Sequence, residues 1–385
     1  MGEGLEGTLR ELVAIDSVSS RPNGPLIDLL EARLARLGFG VKRYPYRDAA
    51  GVEKVNLVAR AGPDVAGGLA LVGHTDTVPY DPAWRDALTL TKQGDALYGR
   101  GACDTKGFIA CALAAAERID PGTLREPLWL AFTADEEVGC LGAKELLRQG
   151  ALRPRHAIVG EPTRLQPIRA GKGYCFAEVR VRGVAGHSAY PDRGASAIAG
   201  AAELVRGIEA LAAVLASRPD PAFDPPHTTL NVGVIAGGQA KNIIPESCRF
   251  TLEWRPLPGD DRDEVPSYVR ELGRRLEAER PRLSVELEIL RADAGVDTPA
   301  DAPLVRFLEA QTGQAAGTVA FGTEAPELSQ LGADAVVLGP GDIRVAHRTG
   351  EHVPVADLQR CADVLGAAIA HFCTRVARGG RPDAE

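Results

Sequence analysis

The chain has 385 residues, 45% hydrophobic and 25% charged, the balance of a soluble globular protein long enough for one large or two ordinary domains. Its formal net charge of −8 argues against nucleic acid or an anionic membrane as main partner, because both repel an acidic surface. Seven scattered cysteines without CxxC spacing fit a reduced compartment, and the opening stretch "MGEGLEGTLRELV" lacks an apolar signal core. No uncharged apolar run is long enough to cross a bilayer, so a soluble, cytoplasmic protein is expected.

In chain order, the first part alternates between short apolar runs and helical patterns. "GGLALVG" (67–73), "PLWLAFTA" (127–134) and "RHAIVG" (155–160) predict buried strands. Between them, "GFIACALAAAERI" (107–119) and "CLGAKELLRQG" (140–150) predict helices, the second closed by a capping Gly. From about residue 174 the pattern changes. "YCFAEVRVRG", "TTLNVGVIAGG" (228–238) and "SCRFTLEWR" (247–255) predict an antiparallel sheet with one wet face, its other face covered by helices near 194–216 and 261–280. The first pattern returns after about residue 290, with a helix near 302–312, the strand "ADAVVLGP" (333–340) and a helix near 355–376. The expected class is therefore α/β with a mostly parallel central sheet, formed by residues 1–173 and 291–385. An α+β domain with an antiparallel sheet is inserted at 174–290. The final "RGGRPDAE" is expected to fray.

Five polar sites follow predicted strands or open helices. His74 and Asp76 end the first run, and residues two apart on a strand share a face, so Asp76 is expected to accept a hydrogen bond from the His74 ring. A polar turn explains the pair equally well. Asp104, in "YGRGACDTKG", reads by itself as a helix N-cap. Glu136 and Glu137 suit the first turn of a helix, Glu161 in "IVGEPT" a loop, and His347, with His352 nearby, a surface histidine.

Taken together, these residues sit at the ends of successive strands, the edge of an open α/β sheet where ligands bind. Two histidines and three carboxylates suit a pair of divalent ions such as Zn²⁺, with Co²⁺ or Mn²⁺ accepting the same donors. Such a pair, three carboxylates and one bridging hydroxide sum to neutrality. One acid of the Glu136–Glu137 pair is then left over to handle a proton.

The motifs "GHTDTVP", "GRGACDTKG", "TADEEVG", "GEPT", "GHSA" and "AHRTGEHVP" stand in the order found in the M20 metallopeptidase and deacylase family, which this chain resembles over nearly its whole length. The resemblance implies a zinc-bearing α/β domain with an inserted lid domain that dimerises. It implies that Asp104 bridges two metals, that His74 and Glu161 complete one shell, and that Glu137 and His347 complete the other. Glu136 becomes the general base and Asp76 the orienter of His74, with a cis bond expected at Asp104–Thr105. His187 in "GVAGHSAYP" resembles a lid histidine that polarises the substrate carbonyl in the partner subunit's site. Arg255 in "EWRPLPG" resembles an arginine that grips the substrate α-carboxylate, with Asn242 in "KNIIP" as its companion.

The implied activity is hydrolysis of an N-acyl amino acid, with N2-acetylornithine or N-acetylcitrulline as expected substrates. Glu324 in "GTEAP" is expected either to face an ornithine ammonium or to stabilise a loop. The reading from outside the enzyme class is a metal-stabilised dimer that binds amino acids without turnover. It predicts loss of the base or of an open-site ligand, whereas all these positions are filled.

Overall fold

The computed structural model describes residues 4–374, so the stretch "RGGRPDAE" lies outside the described residues. The described chain divides into two compact units, one of residues 4–169, 298–317 and 323–374, the other of residues 170–297 and 318–322. These borders differ from the expected 173/174 and 290/291. The expectation followed the onset of alternating polarity, but Gly171 and Ala170 pair with Val296 and Asp297 and so fall in the second unit.

In the first unit, strands β1 (Gly40–Arg47), β2 (Glu53–Ala61), β3 (Leu69–His74), β4 (Leu128–Thr133) and β5 (His156–Val159) join the strand Asp334–Val337 in one sheet. The order is β1-β2-β4-β3-β5, then 334–337. β3 runs parallel to β4 and β5, and 334–337 runs parallel to β5, whereas β1 and β2 form an antiparallel edge. Every residue of β3, β4 and β5 is buried, as a strand covered on both faces requires. Leu71, Leu130, Phe132 and Ile158 belong to a core shared with the helices Leu5–Ala14, Gly24–Arg36, Lys106–Glu117, Pro303–Thr312 and Val355–Ile369. Because four neighbouring strands are parallel, their carboxyl ends lie along one edge.

The helix Lys106–Glu117 comes close to that edge because two strand-end positions are glycines. A Cβ at Gly73 would lie 3.2 Å from Phe108 and Ile109, and one at Gly160 would lie 2.2 Å from the Phe108 ring. The helix Leu141–Gln149 ends at Gly150, whose φ of 57° closes it in the left-handed region as its sequence predicted.

The second unit holds a four-stranded antiparallel sheet of β6 (Tyr174–Arg182), β7 (Thr229–Gly237), β8 (Ser247–Arg255) and β9 (Ser284–Asp293), ordered β7-β8-β6-β9. Val179, Phe250 and Trp254 bury one face under helices Ala197–Ala216 and Glu264–Glu279. Charged residues line the other face, where Arg180 lies 3.2 Å from Glu288. The strand β9, the edge strand β1 and its neighbour β2 were not anticipated. Among the described residues no helix is long and apolar enough to cross a membrane. No disulfide forms among them, and all seven cysteines are buried.

The Gly160 contact yields a direct test. Gly160→Ala drives a methyl into Phe108 and should destabilise the first unit by about 1–3 kcal/mol, as overpacking does. A thermal melt indistinguishable from wild type would refute the close approach.

Candidate metal centre

His74 closes β3 and is 1% exposed. Its Nε2 lies 3.1 Å from Asp104 Oδ1 and 4.0 Å from Glu161 Oε1. His347 Nε2 lies 3.1 Å from the other Asp104 oxygen, Oδ2, and 3.1 Å from Glu137 Oε1. The two oxygens of one carboxylate thus face two imidazoles, each with a further carboxylate beside it. One ligand atom each of His74, Asp104 and Glu137 lies within 4.8 Å of the others, as does one each of His74, Glu136 and Glu161. The five expected donors and Glu136 converge.

Each donor reaches the site by a local device. Asp104 ends a loop whose next bond, Asp104–Thr105, is cis as the family resemblance implied. Thr105 Oγ1 donates to Gly160 O at 3.1 Å and so ties this loop to the residue before Glu161. Glu136 and Glu137 follow β4 after Asp135, whose φ of 58° turns the chain. Asp135 is held there by Lys54 Nζ at 2.9 Å and by the Tyr46 hydroxyl at 2.8 Å. His347 also has a left-handed backbone, with φ of 60°, and its ring is about half exposed. That exposure leaves the site open on one side, as catalytic metal sites require.

Asp76 departs from expectation. His74 Nδ1 faces the backbone carbonyl of Asp76 at 3.0 Å, while the Asp76 carboxylate is 3.7 Å away, too far for a hydrogen bond. The strand ends at His74, so the alternation that would put both side chains on one face no longer applies. The Asp76 carboxylate instead accepts the backbone N–H groups of Glu136 and Glu137, at 3.1 and 3.3 Å, and the Ser19 hydroxyl at 2.7 Å. It pins the acidic pair, and its own carbonyl orients the histidine.

The charge balance favours cations. Burial pushes the carboxyls of Glu136 and Glu161 well above the ordinary range, and it raises Glu137. Burial also opposes ionisation of Asp104, but hydrogen bonds from His347 and His74 bring its carboxyl below the usual range. The buried His74 ring would prefer neutrality, yet Asp104 and the neighbouring acids hold its pKa well above normal. His347 is pushed up to about 10 by its bonds to Asp104 and Glu137. Buried carboxylates crowded this closely raise one another's proton affinity, a cost that divalent cations remove. Nitrogen and oxygen donors in an open, acidic cluster fit a dinuclear metal site.

Other expected residues lie elsewhere. His187 and Asn242 belong to the second unit, where His187 pairs with Ile243 in a short ribbon and Ser188 N donates to Asn242 O at 3.1 Å. Arg255 ends β8, stacked 3.8 Å over the Tyr174 ring, with Nε 2.9 Å from Glu253. Glu324, in the first unit, is 1% exposed and accepts from the Thr133 hydroxyl at 2.8 Å. Burial pushes its carboxyl up to about 7, against the pull of His74 and Thr133. Thr133 occupies Oε2 alone, and Oε1 is buried without a hydrogen-bond partner among the described residues. His352 turns away, with Nδ1 2.9 Å from Gly350 O and its ring stacked on Tyr98.

One participant was missed in the sequence. Glu351, within "AHRTGEHVP", is fully buried and accepts the backbone N–H groups of Cys103 and Asp104. Its only signal in the sequence is an acid four residues beyond a candidate ligand.

Comparison with known proteins places the chain in a family. The chain is 57% identical over 380 residues to an acetylornithine deacetylase of Myxococcus xanthus, covering 98% of each. It is 39% identical to an acetylornithine deacetylase of Proteus mirabilis, covering 94% of this chain and 95% of that one. Among solved structures, aminopeptidase PepT of Bacillus cereus shares the fold, with a TM-score of 0.77 at 20% identity over 96% of this chain and 98% of that one. Residues 70–371 match peptidase family M20/M25/M40, and the chain is a hydrolase of that family.

Proposed function

We propose that this chain hydrolyses N2-acetyl-L-ornithine to ornithine and acetate, a step of arginine biosynthesis, in the cytoplasm. The observation that carries the chemistry is the convergence of two imidazoles on the two oxygens of Asp104, with Glu137 and Glu161 beside them. The substrate is supported by the 57% identity to the Myxococcus xanthus acetylornithine deacetylase over 98% of both chains. His74, Asp104 and Glu161 would hold one ion, and Asp104, Glu137 and His347 the second. Zinc suits this mixed nitrogen and oxygen set, and Co²⁺ or Mn²⁺ would replace it.

Divalent ions in such a site lower the pKa of water and polarise an amide carbonyl. The remaining chemistry belongs to the chain. Glu136, raised by burial and fixed through its backbone N–H to Asp76, takes a proton from the attacking water and returns it to the departing nitrogen. Arg255, with Asn242 as its companion, would offer a two-pronged donor for the substrate carboxylate, and His187 would offer a donor for the developing oxyanion in the partner subunit's site. N-acetylcitrulline is the second reading. Its neutral side chain needs no acidic partner, and Glu324, for which meeting an ornithine ammonium was one of two expected roles, is buried.

Homodimerisation through the second unit is part of the proposal. The edge strand β7 exposes Val234 and Ile235, at 64% and 53%, beside unpaired backbone groups that a second copy can cover.

Initial rates on acetylornithine, acetylcitrulline, acetyllysine and succinyl-diaminopimelate test the activity. The highest kcat/KM should fall on acetylornithine, and Glu136→Gln should lose about 10²- to 10⁴-fold in kcat while keeping its metal. Preference for another substrate would replace the assignment, and near wild-type turnover in the variant would remove Glu136 from proton transfer. For the dimer, Val234→Lys with Ile235→Lys should sediment as monomer where wild type sediments as dimer. A wild-type monomer, or a dimer untouched by both charges, would contradict that interface.

A further inference from the structure

We propose that Glu351 is a positioning residue that locks the loop carrying Asp104 to the loop carrying His347, and so sets how tightly the chain binds metal. The inference rests on the reading of these two residues as ligands. Glu351 is fully buried and divides its carboxylate between two tasks. Oε1 accepts the backbone N–H groups of Cys103 at 2.9 Å and Asp104 at 3.0 Å. Oε2 lies 2.6 Å from Arg100 Nη1, whose side chain is 3% exposed.

Arg100 is itself fixed at three further points. Its backbone N–H donates to Ala87 O at 2.7 Å, Nη2 donates to Pro79 O at 3.3 Å, and its guanidinium lies 5.5 Å from the centre of the Trp84 ring. Gly99 N donates to Glu351 O at 3.1 Å, so backbone and side chain of Glu351 both grip residues 99–104.

The consequence is mechanical. His347 lies four residues before Glu351, and Glu351 N donates to Arg348 O at 3.3 Å, which makes the intervening turn short and closed. The chain therefore fixes Asp104 from behind, through its amide, using the same turn that presents His347 from the front. A neutral acceptor would satisfy the amides less strongly, because charge-assisted hydrogen bonds are roughly twice as strong as neutral ones. Neither oxygen of Glu351 is assigned to a metal: both are occupied by donors of this chain. Its part is to hold the two sides of the Asp104 carboxylate in register with their histidines, as outer carboxylates do for metal-bound residues.

Metal binding, read without turnover, is the test. Wild type, Glu351→Asp and the double variant Arg100→Met/Glu351→Leu are stripped with chelator and titrated with Zn²⁺ by calorimetry, alongside thermal melts of the stripped proteins. The aspartate keeps the charge but is shorter by about 1.5 Å, so it cannot serve both amides and Arg100. It should bind Zn²⁺ 10–100-fold more weakly, the usual effect of losing such a partner.

The double variant replaces a buried ion pair by apolar groups, an exchange that often leaves stability intact, yet it frees both amides and should also bind weakly. Should it melt like wild type and take Zn²⁺ with wild-type affinity, Glu351 would serve only to neutralise Arg100 and the proposal would fail. Wild-type affinity in Glu351→Asp would overturn it equally, even if the double variant does not fold. A wild-type protein that binds no Zn²⁺ would instead sink the metal-site reading beneath it.

Discussion

The structure turns on one carboxylate. Asp104 presents Oδ1 to His74 and Oδ2 to His347, each at 3.1 Å, in a place from which water is largely excluded. A buried carboxylate alone resists ionisation, and the acids packed around this one worsen the repulsion. Protonation relieves that conflict by giving up the charge, whereas concentrated positive charge relieves it with the carboxylates ionised, and two imidazoles supply part of it. The first unit can be understood as the scaffold that makes such crowding tolerable. Four parallel strands deliver polar residues to one edge, and glycines at 73 and 160 let the helix after Asp104 close on the same edge.

Around this centre the chain distributes the work of holding acids where they would not otherwise stay. Asp76 binds the amides of Glu136 and Glu137, while Lys54 and Tyr46 hold Asp135, whose backbone makes the turn just before that pair. Thr105 reaches the carbonyl of Gly160, and Glu351 reaches the amide of Asp104. Most of these contacts involve a backbone group. They set position without adding ligands, and they leave the half-exposed His347 as the side from which a substrate can approach.

Much of this was legible from residue type and order. Strands β3, β4 and β5 carry apolar runs, and His74, the Glu136–Glu137 pair and Glu161 stand at or just after their ends, so the sheet and part of the site followed from one pattern. The strand β2, paired on both sides, was hidden by its own chemistry. Lys54 and Asn56 are buried in it, satisfied by Asp135 and by the backbone of Gly142, and two polar residues break the apolar signature that marks a strand. Asp76 departs from the expected role because strand geometry ends at His74, two residues short of Asp76. Glu351 was missed because its partners are amides and an arginine far away in sequence, and amides leave no trace in side-chain pattern.

On the proposed function, these side chains cage two metal ions about Asp104. Diffraction from zinc-loaded crystals, collected at the zinc absorption edge, tests it most directly. The account predicts two anomalous peaks about 3.5–4 Å apart, one beside His74 and Glu161 and the other beside Glu137 and His347, with Asp104 between. A single peak, or peaks away from these residues in protein shown to be active, would contradict it.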